Sequence, residues 1–195
     1  MIIERLIAWM EIAPLEKRVL AADALVRAWQ MPNLSEDERD AAEAAMTCIL
    51  DDQDVEVRKS LSNALADSPN PPRHLVIALA GDEPEVSLPI LANCSGLLDV
   101  ELVHYVSIGT PDQQAAIASR PHLLPVVTQH LATHGCHEAC LVMVTNPDAR
   151  ILEPDFFQIA GKDMFSLNLG YVSNNYQTPV MYGEYDDNMP LGAVR

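Results

Sequence analysis

The feature that most constrains this chain is a recurrence. Four stretches, KSLSNALADSP (59–69), PILANCSGLLD (89–99), AAIASRPHLLP (115–125) and LVMVTNPDARI (141–151), each carry an apolar helical pattern into a polar residue and a short turn. The polar markers are Asn63, Asn93, Arg120 and Asn146, separated by 30, 27 and 26 residues. A unit of that length cannot bury its own apolar face, so the period predicts helical hairpins that stack and share one core. Pro72, Pro84, Pro111, Pro121, Pro125 and Pro147 fall at helix starts and joints, where a missing backbone N–H costs little.

The residues before the recurrence also read as helices. Ile3, Leu6, Ile7 and Met10 share one helical face over residues 2–12. Pro14 opens a second helix with Val19, Leu20, Leu25, Val26 and Trp29 as its apolar members. Ser35 with Glu38 has the spacing of a capping box, and Glu36 and Asp37 complement the dipole of that first turn. This third helix is expected to run to about Leu50, burying Ala42, Ala45, Met46 and Ile49.

Composition narrows the partners. Asp and Glu number 28 against 12 Lys and Arg, a net charge of −16 that repels phosphate backbones and anionic lipid surfaces. Nucleic acid and membrane are therefore poor partners, and a basic protein or peptide a better one. No window approaches 18 uninterrupted apolar residues, and Glu4, Arg5 and Glu11 break the N-terminal apolar run, so neither a membrane span nor a secretory signal is expected. Cys48, Cys94, Cys136 and Cys140 are too few and scattered for a disulfide framework. The expectation is a cytoplasmic protein with reduced thiols.

DDQDVEVRKSLSNAL (51–65) resembles the signature of HEAT repeats, with an Asp ahead of an apolar residue and then Val57-Arg58. With AGDEPEVSLPILANCSGL (80–97), QAAIASRPHL (114–123) and VTNPDA (144–149), residues 1–152 look like the bacterial family called domain of unknown function 2336 (DUF2336). The resemblance implies an all-α, HEAT/ARM-like α-solenoid of stacked antiparallel hairpins, in which an acid caps a helix and the arginine bonds within its repeat. It implies no activity.

Near residue 151 the chain changes character. All three Phe and four of the five Tyr lie beyond that point. Residues 154–161 read as a short helix ending at Gly161. After it, Phe165, Leu167, Leu169 and Tyr171 alternate with polar residues, and Asn174-Asn175 suits a tight turn. Residues 153–195 are therefore expected to form an aromatic-rich tail, either irregular or a small β-hairpin, that caps the last repeat of the 1–152 domain or reaches a second subunit.

Candidate chemistry resolves mostly into structure. HLATHGCHEAC (130–140) supplies His130, His134, Cys136, His137 and Cys140, a Cys2His2 set on paper. Gly135 ends one helix, however, and Cys140 falls in an apolar row with Leu141, Met143 and Val144, so the stretch reads as a helix joint and no metal is expected. Asp51, Asp52 and Asp54 lack the central Gly and terminal Glu of a calcium loop and read as caps. Asp186-Asp187-Asn188 reads as a solvated turn, and Asn63, Asn93 and Asn146 as bonds to a neighbouring repeat. No cofactor is expected. The function expected is a non-enzymatic interaction or scaffold module, presenting an acidic helical surface to a protein partner. The alternative is a small-molecule- or metal-binding enzyme on a HEAT-like scaffold.

Overall fold

The computed structural model describes residues 2–161. Among them it contains eleven α-helices and no strand. In chain order these are α1 (Ile2–Ile12), α2 (Leu15–Trp29), α3 (Glu36–Ile49), α4 (Val55–Ala66), α5 (Arg73–Ala80), α6 (Pro84–Asn93), α7 (Asp99–Ile108), α8 (Pro111–Ala118), α9 (Pro125–His134), α10 (His137–Thr145) and α11 (Glu153–Ala160). The expected β-hairpin turning at Asn174-Asn175, the turn at Asp186-Asp187-Asn188 and the capping role of the tail beyond Gly161 lie outside the described residues.

The helices occupy two rows. The even-numbered ones pack in succession, α2 on α4, α4 on α6, α6 on α8 and α8 on α10. In the other row α1 packs on α3, α7 on α9 and α9 on α11, while α5 lies against α4 and α6. The core fills the space between the rows. It is built from Leu, Ile, Val and Ala, with Leu61, Leu65, Leu79, Ile90, Ile117 and Leu131 among its fully buried members. Such side chains keep few rotamers and interdigitate, which suits closely spaced short helices.

Capping explains the boundaries. Ser35 accepts from the Glu38 backbone N–H and Glu38 accepts from that of Ser35, the reciprocal pair the sequence implied. Thr110 and Gln113 repeat the arrangement ahead of α8. Pro84, Pro111 and Pro125 stand at the first helical position, where the lost N–H has no intrahelical partner in any case. Helices α4, α6, α8 and α10 begin at 55, 84, 111 and 137, so successive starts are 29, 27 and 26 residues apart. From α2 to α4, starting at 15 and 55, the step is 40, because α2 and α3 are the longest helices described, with 15 and 14 residues.

Three expectations need correction. Leu20 is 67% exposed, so the apolar face of α2 is narrower than its pattern suggests. Asn63 lies within α4, whereas Asn93 ends α6, Arg120 follows α8 and Asn146 caps α10; the four markers are not equivalent positions. The helical packing also runs past residue 152, since α11 lies on α9 and buries Asp155 and Ile159. The segment at its C-terminal end is the short helix expected over 154–161.

Candidate functional site

The fourth residue of every even-numbered helix occupies one recurrent position: Arg18, Arg58, Ser87, Gln114 and Cys140. From it Arg18, Arg58 and Gln114 reach the loop ahead of the next even helix, whereas Cys140 points back to the Leu131 and Gly135 carbonyls. Arg18 pairs with Asp52 and Asp54 ahead of α4. Arg58 donates from Nε to Asp82 at 2.7 Å and from Nη2 to Glu83 at 3.1 Å, ahead of α6. It also donates to the Asp52 carbonyl at 2.6 Å, so it bonds both within its own repeat and forward into the next. Gln114 accepts from the Cys136 backbone N–H at 2.7 Å, ahead of α10, while its amide donates to the Val106 carbonyl. Ser87 is held from the following helix by Gln113, which donates to its hydroxyl at 2.7 Å.

Electrostatics follow this geometry. The Asp52 carboxylate, and then that of Asp54, hold the Arg18 guanidinium more firmly protonated than a free arginine. Burial pushes the Asp82 carboxyl up, but Arg58 and the Glu83 backbone N–H outweigh it and leave the group below its ordinary range. Asp54 stands at the N-cap of α4 without a side-chain cap hydrogen bond, so Asp52 and Asp54 act as counterions of Arg18 and not as the caps their sequence suggested.

The opposite ends of the helices carry a second set of ties. Buried Arg120 donates to the carbonyls of Leu91 and Cys94, both at 2.6 Å, and of Ile90 at 3.3 Å. Its charge sits at the negative end of the α6 dipole. Asn146 donates to the carbonyls of Ala118 and Arg120, as a bond to the neighbouring repeat requires. Asn63 and Asn93 are exposed and make no such bond, so only part of the expected ladder is structural.

The joint at 130–140 does not converge. Cys140 is fully buried, its Sγ directed at the Leu131 carbonyl at 3.6 Å. Cys136 serves as the α10 N-cap, accepting from the Ala139 N–H. His130 lies 2.7 Å from the Ser107 hydroxyl, and its ring is 4.4 Å from that of His134. Burial, with the neighbouring His134, lowers the His130 pKa from its ordinary value. His137 is exposed on the first turn of α10. No group of three or more His, Cys, Asp or Glu side chains is placed to hold a metal among the described residues. An open cleft of about 480 Å³ lies at the other end of the molecule, lined by Met10, Glu11, Arg18, Cys48, Asp52 and Asp54 among others.

Two surface rows escaped the sequence reading. The second residue of every even helix is acidic and exposed: Glu16, Glu56, Glu85, Asp112 and Glu138. In the odd row, the N-caps of α7, α9 and α11 are exposed leucines, Leu98, Leu124 and Leu152. The signal for each recurs once per helix pair, but no single residue pattern marks it until the helix starts are aligned.

Over the described residues the architecture is all-α, short helices packed in two rows with polar side chains tying successive even-numbered helices. Residues 86–163 match the model of the family described as an uncharacterised protein conserved in bacteria, domain of unknown function 2336 (DUF2336). The match begins in α6, later than the resemblance read over residues 1–152, and extends through α11. No curated protein and no solved structure matches the chain significantly. No helix among the described residues is long and apolar enough to cross a membrane.

Proposed function

We propose that the chain is a HEAT-like α-solenoid acting as a non-enzymatic, cytoplasmic interaction module that holds a basic protein or peptide. The supporting observation is the exposed acid at the second position of all five even helices. Packed helices lie about 8–10 Å apart, so these carboxylates form a row at regular intervals along one edge. A first-turn acid also complements its own helix dipole, worth a few tenths of a kcal/mol. Lys59 lies 3.7 Å from both Glu56 and Glu85, and the five acids around this one cation still make a surface of net negative field. An extended basic segment matches that field, and nucleic acid does not.

The test is affinity capture from bacterial extract by the full chain, with the captured proteins identified by mass spectrometry. A basic partner released by salt is expected, and its recovery should fall with the combined variant Glu56→Gln, Glu85→Gln, Asp112→Asn, Glu138→Gln. Capture indifferent to these four changes would sink the reading. The cleft beside Arg18 favours the second reading, a ligand-binding or enzymatic use of the same scaffold. Its acids Asp52 and Asp54 are already engaged by Arg18, which leaves fewer groups for chemistry.

A further inference from the structure

The odd-numbered row carries a surface of different character on the opposite edge, since its helix starts lie beside the ends of even helices: Arg73 at the head of α5 donates to the Gly96 carbonyl past α6, and the Arg150 N–H past α10 to the Leu123 carbonyl ahead of α9. Leu98, Leu124 and Leu152 occupy the N-cap of α7, α9 and α11, exposed by 53%, 38% and 48%. Two residues on, Val100 and Val126 are exposed by 71% and 51%. A leucine is a poor N-cap: its side chain cannot accept from the first-turn N–H groups, as Ser35 and Thr110 do in their own helices. Each of these leucines follows a well-buried or half-buried partner, Leu97, Leu123 and Ile151 respectively, that already serves the core. The exposed member is therefore surplus to packing, three times in the same register. Isolated exposed leucines are ordinary, but a repeated line of them is not.

We infer that this line of Leu98, Val100, Leu124, Val126 and Leu152 docks an amphipathic helix of a partner protein, apolar at every seventh residue and flanked by basic side chains. Spacing selects a helix. Neighbouring packed helices are about 8–10 Å apart, and seven helical residues advance about 10.5 Å. One side chain per heptad thus meets one leucine per repeat, and roughly 15 residues span the three repeats. Charge selects the flanks. Beside the line, Asp99, Glu101, Asp148 and Glu153 outnumber Arg73 and Arg150, and Arg73 is already paired with Glu101 at 2.6 Å. The net charge of −16 attracts the same partner at longer range. This inference rests on the interaction-module reading but uses a separate edge, so the two can fail separately.

The probe is a synthetic 18-residue helix with leucine at every seventh position and lysine flanks, measured by fluorescence anisotropy against the full chain. Two control peptides have the same composition in shuffled order, or glutamate in place of lysine. The lysine peptide is expected to bind, and both controls to bind at least tenfold more weakly. The combined variant Leu98→Ser, Leu124→Ser, Leu152→Ser should weaken the lysine peptide at least tenfold, whereas Leu20→Ser, on the other row, should leave it unchanged. The four-acid variant of the even helices separates the readings: it should reduce capture of a basic protein yet leave peptide affinity within about twofold. Equal binding of ordered and shuffled peptides, or indifference to the triple leucine variant, overturns the docking line without touching the acidic row. Failure of the full chain to bind the lysine peptide also overturns it. So does a dimer that the triple variant dissociates, or competition from phosphatidylcholine vesicles, since each names another occupant.

Discussion

The two ends of the molecule perform the same mechanical task with different chemistry. In α2 and α4 the fourth-position side chain is an arginine, and it reaches forward to carboxylates in the loop ahead of the next even helix. In α6, α8 and α10 that position holds Ser87, Gln114 and Cys140, and the ties are neutral, to hydroxyl and backbone groups. The charged end also has the longest helices and the irregular 40-residue step between helix starts at 15 and 55, while the neutral end keeps steps of 27 and 26. The difference shows that the repeat specifies a place for a polar link, and that the link's identity is free to vary with its surroundings. Where the loop offers acids, a long cation spans to them; where it offers only backbone, an amide suffices. The family match begins within α6 and so falls on the neutral end.

This contrast can be broken most forcefully at Arg58. Arg58→Met removes the partner of Asp82 and Glu83 and leaves the Asp52 carbonyl unpaired, and is expected to cost about 3–5 kcal/mol. Thermal unfolding should show it, and adding Asp82→Leu should recover part of the loss. If Arg58→Met melts with the parent, the charged link is decorative. At the neutral end, Gln114→Leu strands the Val106 carbonyl and the Cys136 N–H, for about 2 kcal/mol. Denaturant titration reads that difference, and a cost equal to that of Arg58→Met would erase the distinction between the two ends.

Acid should sharpen it. Glu38 is held below its ordinary value, first by the Ser35 backbone N–H and then by its hydroxyl, and Asp82 below its own by Arg58 and the Glu83 N–H against the pull of burial. A carboxyl lowered on folding stabilises above its unfolded pKa, and that contribution is lost as pH falls through the folded value. Below about pH 4.5, the ordinary value for Glu38, hydrogen-exchange protection relative to the unfolded chain at the same pH should therefore fall in α3 and α4 before α8 and α10. Simultaneous loss would contradict the assignment of the charged links to one end. The smallest effect belongs to the partly exposed contact between Arg18 and Asp54: Asp54→Asn should cost under about 1 kcal/mol, and molar salt should abolish the difference.

The sequence exposed whatever local chemistry decides. The capping box at Ser35 and Glu38 needs two residues three apart, and it formed as expected. Proline at the start of α6, α8 and α9 acts through its own ring. Periodicity placed the helices because each must contribute an apolar face, and Cys140 could be put in the core from its row with Met143. What stayed hidden depends on partners in another repeat. Arg58 reads only as a HEAT-like arginine until Asp82, 24 residues on, is seen beside it. Arg18, Gln114 and Cys140 share no residue type from which a common position could be inferred. Leu98, Leu124 and Leu152 follow apolar neighbours and look like core in a linear pattern; only depth in the fold distinguishes the exposed member of each pair.

The forward direction of the charged links has a consequence for how the chain comes into being. A ribosome delivers α2 before the acids that Arg18 meets, which lie 34 and 36 residues downstream, and delivers α4 before Asp82. At roughly 5–20 residues per second, each arginine spends a second or more hydrated and unmatched before its counterions are made. The second α-helix therefore cannot lock onto the fourth from its own information. Each new cap closes the clasp left open by the repeat before it, so assembly proceeds by succession, with the newest residues completing the oldest.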